Sequence, residues 1–288
     1  MLDYLLQLLT FILIYSMLGQ SLNLSAGFVG LISLTHAGFY GIGAYSTAIL
    51  SERIGSPFWI NLPISMVISG AIAFLVSIAI LRTVEDYFVI GTLAIQIILF
   101  SLLNNWTGLT HGPVGMSGIP SISLLGLNLN NRFLFFLFTA LLAAAMYWFL
   151  RNLTSSGFGK TLRAISEDEI FSQSVGKDVY KYKVISFTLA GVFASVPGVI
   201  YAHYISFIDP SSFTVGESIF ILSIVIVGGL GNLKGGFFAA AFFILLPEAL
   251  RFVGMPNNIA ANVRQIIYGL LLIVITMRSG KGGRVVTA

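Results

Sequence analysis

No cysteine occurs anywhere in the 288 residues, which excludes disulfides and thiolate-held metals and leaves the redox compartment unreadable. Histidine is almost as scarce: His36, His111 and His203 are scattered, at no spacing a metal site uses. Charge is the third shortage. Only 9% of residues are Asp, Glu, Lys or Arg, against about 25% in a soluble domain, too few to cover a water-facing surface. That arithmetic excludes a soluble enzyme, a disordered chain and a nucleic-acid binder. The opening Met1-Leu2-Asp3 carries no Lys or Arg. It therefore lacks the basic segment of a signal peptide, and the first apolar run is expected to remain as an uncleaved span.

What fills the chain is apolar: 57% hydrophobic residues, 24 of all residues being Phe, and a mean hydropathy of +0.94. The expected fold class is an all-α, polytopic integral membrane helical bundle. The alternating runs of about ten residues that build a membrane β-barrel are missing. Apolar runs fall at 4–22, 36–50, 58–81, 87–103, 133–150, 184–202, 218–227, 236–252 and 265–277. Nine crossings are expected, within a range of eight to ten, although 36–50 and 218–227 are short for a span of about 20 residues.

The longest hydrophilic stretch, 151–183, holds Arg151, Lys160, Arg163, Lys177, Lys181 and Lys183. Alternating the crossings outward from it brings Arg82, Lys234, Arg278, Lys281 and Arg284 to the same side, eleven cations against four (Arg53, Arg132, Arg251 and Arg264) on the other. The positive-inside rule then puts the central loop and the C-terminus in the cytoplasm and the N-terminus outside.

Two segments do not read as simple spans. Residues 25–45 carry Gly27, Gly30, Gly38, Gly41 and Gly43, and a fainter echo follows at Gly228, Gly229, Gly231, Gly235 and Gly236. Each glycine costs a helix about 1 kcal/mol relative to Ala, so the clusters imply helix breaks or very close helix contacts. Gly-interrupted short segments in corresponding places of two halves point to a substrate pathway, with small-residue helix contacts as the alternative. The candidate pathway residues are Asn23, Gly27, Gly30, His36, Gln96, Gly228, Gly229 and Gly231. The pair Glu248 and Arg251, three apart, is expected to neutralise itself near the outer interface.

In the central loop, Gly157-Phe158-Gly159-Lys160-Thr161 imitates the end of a nucleotide-binding loop. Thr154 stands where the first glycine is required, and the segment follows a span instead of a strand, so nucleotide binding is rejected. Ser166-Glu167-Asp168-Glu169 reads as a capping box opening a helix of about nine residues, stopped by Gly176. Such a helix is too short to be stable alone in water, and it sets Ile170, Phe171 and Val175 beside charges. A docking surface is expected to cover it.

These residues carry a resemblance. GFGKTLRAISEDEIFSQSVG (157–176), SLNLSAGFVGLISLTHAGFYGIGAYSTAIL (21–50), NNWTGLTHGPVGMSGIPSI (104–122) and SFTVGESIFILSIVIVGGLGNLKGGFFAAAFFILLPEALR (212–251) together resemble the permeases of ATP-driven branched-chain amino-acid importers. The resemblance implies one transmembrane permease domain over 1–288 with a cytoplasmic coupling loop at 151–183. It also implies a second homologous permease, cytoplasmic ATPase subunits, and a periplasmic or extracellular substrate-binding protein as partners. The setting would be the lipid of a prokaryotic cell membrane. ATP and Mg would sit on the ATPase subunits and no cofactor on this chain. Carried over by motif, Gly159, Arg163, Ala164, Glu167, Asp168, Glu169, Phe171 and Gly176 would form the segment that enters a groove on the ATPase. Phe171 and Ser172 replace two usually small residues, and His111 replaces a small residue in a Thr-Gly-Gly-Pro stretch. The substrate class implied is a small apolar zwitterion moved by alternating access. Urea or short-amide import is an alternative, and so, in a different class, is an autonomous secondary transporter or channel.

Overall fold

The computed structural model describes residues 2–82, 85–124, 127–128, 131–252 and 269. Helices follow one another as α1 (Leu2–Val29), α2 (His36–Ile54), α3 (Phe58–Ile80), α4 (Glu85–Asn105) and the single turn α5 (Thr107–Thr110). After a loop come α6 (Arg132–Ser155), α7 (Gly157–Glu167), α8 (Glu169–Ser174), α9 (Val179–Ile205), α10 (Val215–Gly228) and α11 (Leu233–Phe252). Among the described residues, strand structure is limited to two antiparallel pairings between loops. Strand β1 (Met116–Ser117) pairs with β4 (Phe207–Ile208), and β2 (Ser123–Leu124) pairs with β3 (Leu127–Asn128).

The chain is thus a polytopic helical membrane protein. Eight of the nine apolar runs coincide with helices, and the run 265–277, residue 269 apart, lies outside the described residues. Among the described residues, α1, α3, α4, α6 and α9 are long and apolar enough to cross a membrane.

Helix α9 is the axis of the bundle, packed against α1, α2 and α3. Its most apolar window is 72% buried, against 22% for α4 and 28% for α6. A helix apolar all round must be covered by other helices or by lipid, and α4 and α6 turn Ile90, Ile97, Leu141 and Trp148 outward. Between helices, hydroxyls bond backbone carbonyls: Ser69 Oγ donates to Gly191 O at 2.8 Å and Ser186 Oγ to Leu24 O at 3.0 Å. Small polar groups tie helices together in this way where burial alone gives no preference for helix over lipid.

The glycine cluster at 25–45 resolves into one break and several contacts. The break runs from Gly30 (φ +84°) to Thr35, where α1 has ended and α2 has not begun. In α2, by contrast, a Cβ on Gly43 would lie 2.7 Å from Ser195 Cα, and one on Gly198 of α9 would lie 2.9 Å from Ala44 N. The two helices touch backbone to backbone. Gly198→Ala is expected to destabilise the protein by about 1–3 kcal/mol through overpacking. Gly236→Ala, with nothing within 4 Å of the added methyl, is expected to be neutral or mildly stabilising. Thermal midpoints of the two variants in mild detergent check this.

Candidate translocation pathway and coupling surface

A break inside a bundle frees backbone groups that must be satisfied within the protein, and here several of the ties can be traced. Leu31 N donates to Ser25 O (2.9 Å), Leu34 N to Thr92 Oγ1 (3.1 Å) and Thr35 N to Ser33 Oγ (3.2 Å). The first turn of α2 is served by its neighbours: Ala37 N donates to Ser218 Oγ at 3.0 Å, and Gly38 N to Gln96 Oε1 at 2.7 Å. Gln96 Nε2 in turn donates to Phe213 O at 2.8 Å. Gln96, on α4, therefore joins the start of α2 to the approach to α10. His36 sits beside this knot, completely buried, and neither ring nitrogen has a partner among the described residues.

Asn23, Gly27, Gly229 and Gly231 form a second cluster. Asn23 Nδ2 donates to Asn232 O (3.1 Å) and Gly229 O (3.4 Å), while its Oδ1 accepts from Gly231 N at 2.8 Å. One side chain of α1 so serves the whole turn between α10 and α11. Gly229 (φ +92°) and Gly231 (φ +76°) give that turn a backbone path L side chains rarely adopt. Gly228 meets Gly235 where α10 and α11 cross. The structure thus gathers the eight sequence candidates into two clusters, and in both Asn23 and Gln96 spend their hydrogen bonds on backbone.

Two groups escaped the sequence reading. Ser218 is the hydroxyl that caps α2, and Glu217 accepts from Tyr15 Oη at 2.6 Å in the first turn of α10. An acid at the head of an apolar segment is itself a signal of a buried role. Glu248 accepts from Tyr4 Oη; the side chain of Arg251, and with it the expected Glu248–Arg251 pair, lies outside the described residues.

The central loop folds differently from the expected capping box. Ser166 is inside α7, its hydroxyl donating back to Arg163 O at 2.9 Å, and the cap is Asp168, whose Oδ1 accepts from Phe171 N at 2.8 Å. Two helices therefore replace one. The reason is a stripe formed by Phe158, Leu162 and Ile165, which amphipathic α7 lays on the bundle, Leu162 and Ile165 being buried. Gly159 meets the backbone of Thr154, and Arg163 stacks 5.0 Å over the Phe28 ring. Glu169 does not reach back to a cap but pairs with Lys183 Nζ at 2.7 Å, pinning α8 to α9. Gly176 (φ +80°) does end the helix as expected. Ile170, Phe171 and Val175 are left 81%, 62% and 58% exposed, while Ala164, Glu167 and Asp168 lie on the open side of the same loop. Nearby, Arg151, Lys160, Arg163 and Lys234 line one cavity of about 430 Å³.

The family model for the branched-chain amino acid transport system permease component matches residues 4–276. The chain belongs to this permease family. The permease is 35% identical over 265 residues to the high-affinity branched-chain amino acid transport system permease protein LivM of Salmonella typhimurium, covering 84% of this chain. It is 35% identical over the same length to LivM of Escherichia coli. It spans 62% of the length of each of these relatives. A more distant relative is the nucleoside ABC transporter permease protein NupC of Lactococcus lactis, 23% identical over 88% of this chain and 84% of its own. No solved structure matches the permease.

The Asn23 clamp makes a direct claim about the permease's stability. Asn23→Ala leaves Gly231 N without its acceptor and is expected to cost about 1–3 kcal/mol. Asn23→Asp keeps the acceptor but sets a carboxylate oxygen against the Gly229 and Asn232 carbonyls in a buried site, and is expected to cost at least as much, as read by thermal unfolding in detergent.

Proposed function

We propose that this protein is the permease subunit of an ATP-driven importer for branched-chain or other apolar amino acids. The observation that carries the reading is the apolar triad Ile170, Phe171 and Val175, exposed on a capped helix and at its C-terminal end, which the Lys183–Glu169 pair ties to α9. An apolar helix face beside acids suits a groove on another protein, and an ATPase subunit is the partner that gives the family its motive force. Gly159, Arg163, Ala164, Glu167, Asp168, Glu169, Phe171 and Gly176 carry that coupling. Arg163 and Gly159 do so by seating α7, and Phe171 does so by contact.

In this reading the central loop and the basic cavity face the cytoplasm, where Arg151, Lys160, Arg163 and Lys234 follow the positive-inside bias. A second homologous permease completes the membrane part, and a periplasmic or extracellular binding protein delivers the substrate. ATP and Mg stay on the ATPase subunits. Movement of α7 and α8 rocks α6 and α9, to which they are joined, and opens the bundle on alternate sides. The break at Gly30–Thr35 and the unpartnered His36 lie on the pathway, since broken helices and buried polar groups are what a zwitterion requires of it. The turn at Gly228, Gly229 and Gly231, clamped by Asn23 against Gly27, transmits the motion of α11 to α1. A zwitterion suits a pathway in which Gln96 is already committed to backbone.

Purification of the tagged protein from its native membrane in mild detergent tests this. A stoichiometric ATPase is expected to co-purify and to be lost on Phe171→Asp, with no change in the thermal midpoint of the permease. In the assembled complex His36→Ala is expected to lower leucine uptake without lowering assembly. An ATPase-free oligomer that transports on its own would contradict the reading, and uptake of nucleosides in place of leucine would contradict its substrate.

A further inference from the structure

The basic cavity of about 430 Å³ collects cations from three helices: Arg151 from the end of α6, Lys160 and Arg163 from α7, and Lys234 from the first turn of α11. Four of the 15 Lys and Arg in the chain therefore surround one small space. No carboxylate is among its described walls, and none of the four cations is ion-paired among the described residues. Like charges gathered in this way are relieved by an anion. Lys234 also stands at the positive end of the α11 dipole, where a further cation is disfavoured and an anion is favoured. Arg163 lies 5.0 Å over the Phe28 ring, a stacking that leaves the N–H edge of a guanidinium available to donate.

A second cavity, of about 420 Å³, continues from the first, since Tyr147, Leu233 and Lys234 wall both. It is a groove between α1, α6 and α11, lined beyond Tyr147 by Ala140, Ala144, Phe237 and Phe238. From Tyr147 to Ala140 along α6 is about 10 Å. Ala144, Phe237 and Phe238 are exposed, and on a spanning helix such a surface meets lipid or another helix. A cationic pocket that opens into an apolar groove matches a molecule with an anionic head and an apolar tail. We propose that the two cavities together bind an anionic phospholipid. Its phosphate lies among Arg151, Lys160, Arg163 and Lys234, and one acyl chain lies in the groove between α1, α6 and α11. Basic pockets between spanning helices suit anionic head groups, and each cation near the membrane surface adds to the attraction. With two of the four cations on α7, the bound head group ties that helix to α6 and α11. The cytoplasmic leaflet follows from the orientation proposed above, and the binding itself rests on no step of transport.

Native mass spectrometry and thermal unfolding test this on the full chain, purified in mild detergent in the assembly it forms in its own membrane. The probes are dioleoylphosphatidylglycerol, dioleoylphosphatidylcholine and inorganic phosphate. Phosphatidylglycerol is expected to be retained and to raise the thermal midpoint, and the other two to do neither. Arg151→Gln and Lys234→Gln are each expected to weaken that retention about fivefold, and the double variant about twenty-five-fold. Ala144→Trp, which leaves every cation in place and fills the groove, is expected to weaken it too. Protection by inorganic phosphate that Ala144→Trp leaves unchanged would make this a site for a free anion and overturn the lipid. Equal retention of phosphatidylcholine, or full retention of phosphatidylglycerol by the double variant, would reduce the cations to markers of topology and overturn the site. So would retention by the isolated chain but not by the complete assembly, since a neighbouring subunit then fills the groove. All three substituted residues are exposed. The comparison of the two lipids on the unaltered chain decides the matter if a variant does not assemble.

Discussion

Helices α2 and α9 meet with no side chain between them at Gly43 and Gly198, and the rest of the bundle depends on that contact. Lipid is as apolar as leucine, so burial gives a membrane helix little reason to prefer a neighbour to the bilayer. Close backbone approach supplies the reason, through dispersion contacts and short carbonyl-to-hydroxyl bonds such as Ser69 to Gly191. With α9 fixed on α2, helices α1 and α3 take the remaining sides of α9, and the more exposed α4 and α6 complete the outer surface.

The same constraint explains where irregular backbone is allowed. The chain leaves helix at Gly30 and re-enters it at His36, inside the protein, only because Ser25, Ser33, Thr92, Gln96 and Ser218 accept the freed N–H groups. Asn23 does the same for the turn between α10 and α11. Polar side chains in this protein are thus spent first on backbone. The buried polar atoms left without a partner among the described residues are few: both ring nitrogens of His36, Nε2 of His203, Gln20 Oε1, Tyr45 Oη, Ser172 Oγ and Thr188 Oγ1.

Much of this was legible in advance, and the parts that were not have a common cause. Apolar runs announce helices because a membrane span leaves the backbone no alternative, so the runs at 58–81 and 133–150 and the short run at 218–227 reappear as α3, α6 and α10. The glycine clusters marked the right places, but sequence could not divide them into a break at Gly30 and contacts at Gly43, because that depends on what lies opposite. Nor could it show that Asn23 and Gln96 serve backbone, their partners lying far along the chain at Gly231, Asn232 and Phe213. In the central loop two acceptable caps, Ser166 and Asp168, stood two residues apart. The choice fell to Asp168 because burying Leu162 and Ile165 carries α7 through Ser166.

The central claim is that α8 meets an ATPase through its exposed apolar face. A chain without cysteine allows one thiol to be placed at Ile170 and followed without interference. In native membranes, a short thiol-directed photocrosslinker on Ile170→Cys is expected to join this chain to an ATPase subunit, with a yield that changes when ATP is added. Labelling by a water-soluble maleimide should fall in the presence of that subunit. A thiol that labels equally well with and without the ATPase, and crosslinks only to lipid or to nothing, would contradict the account.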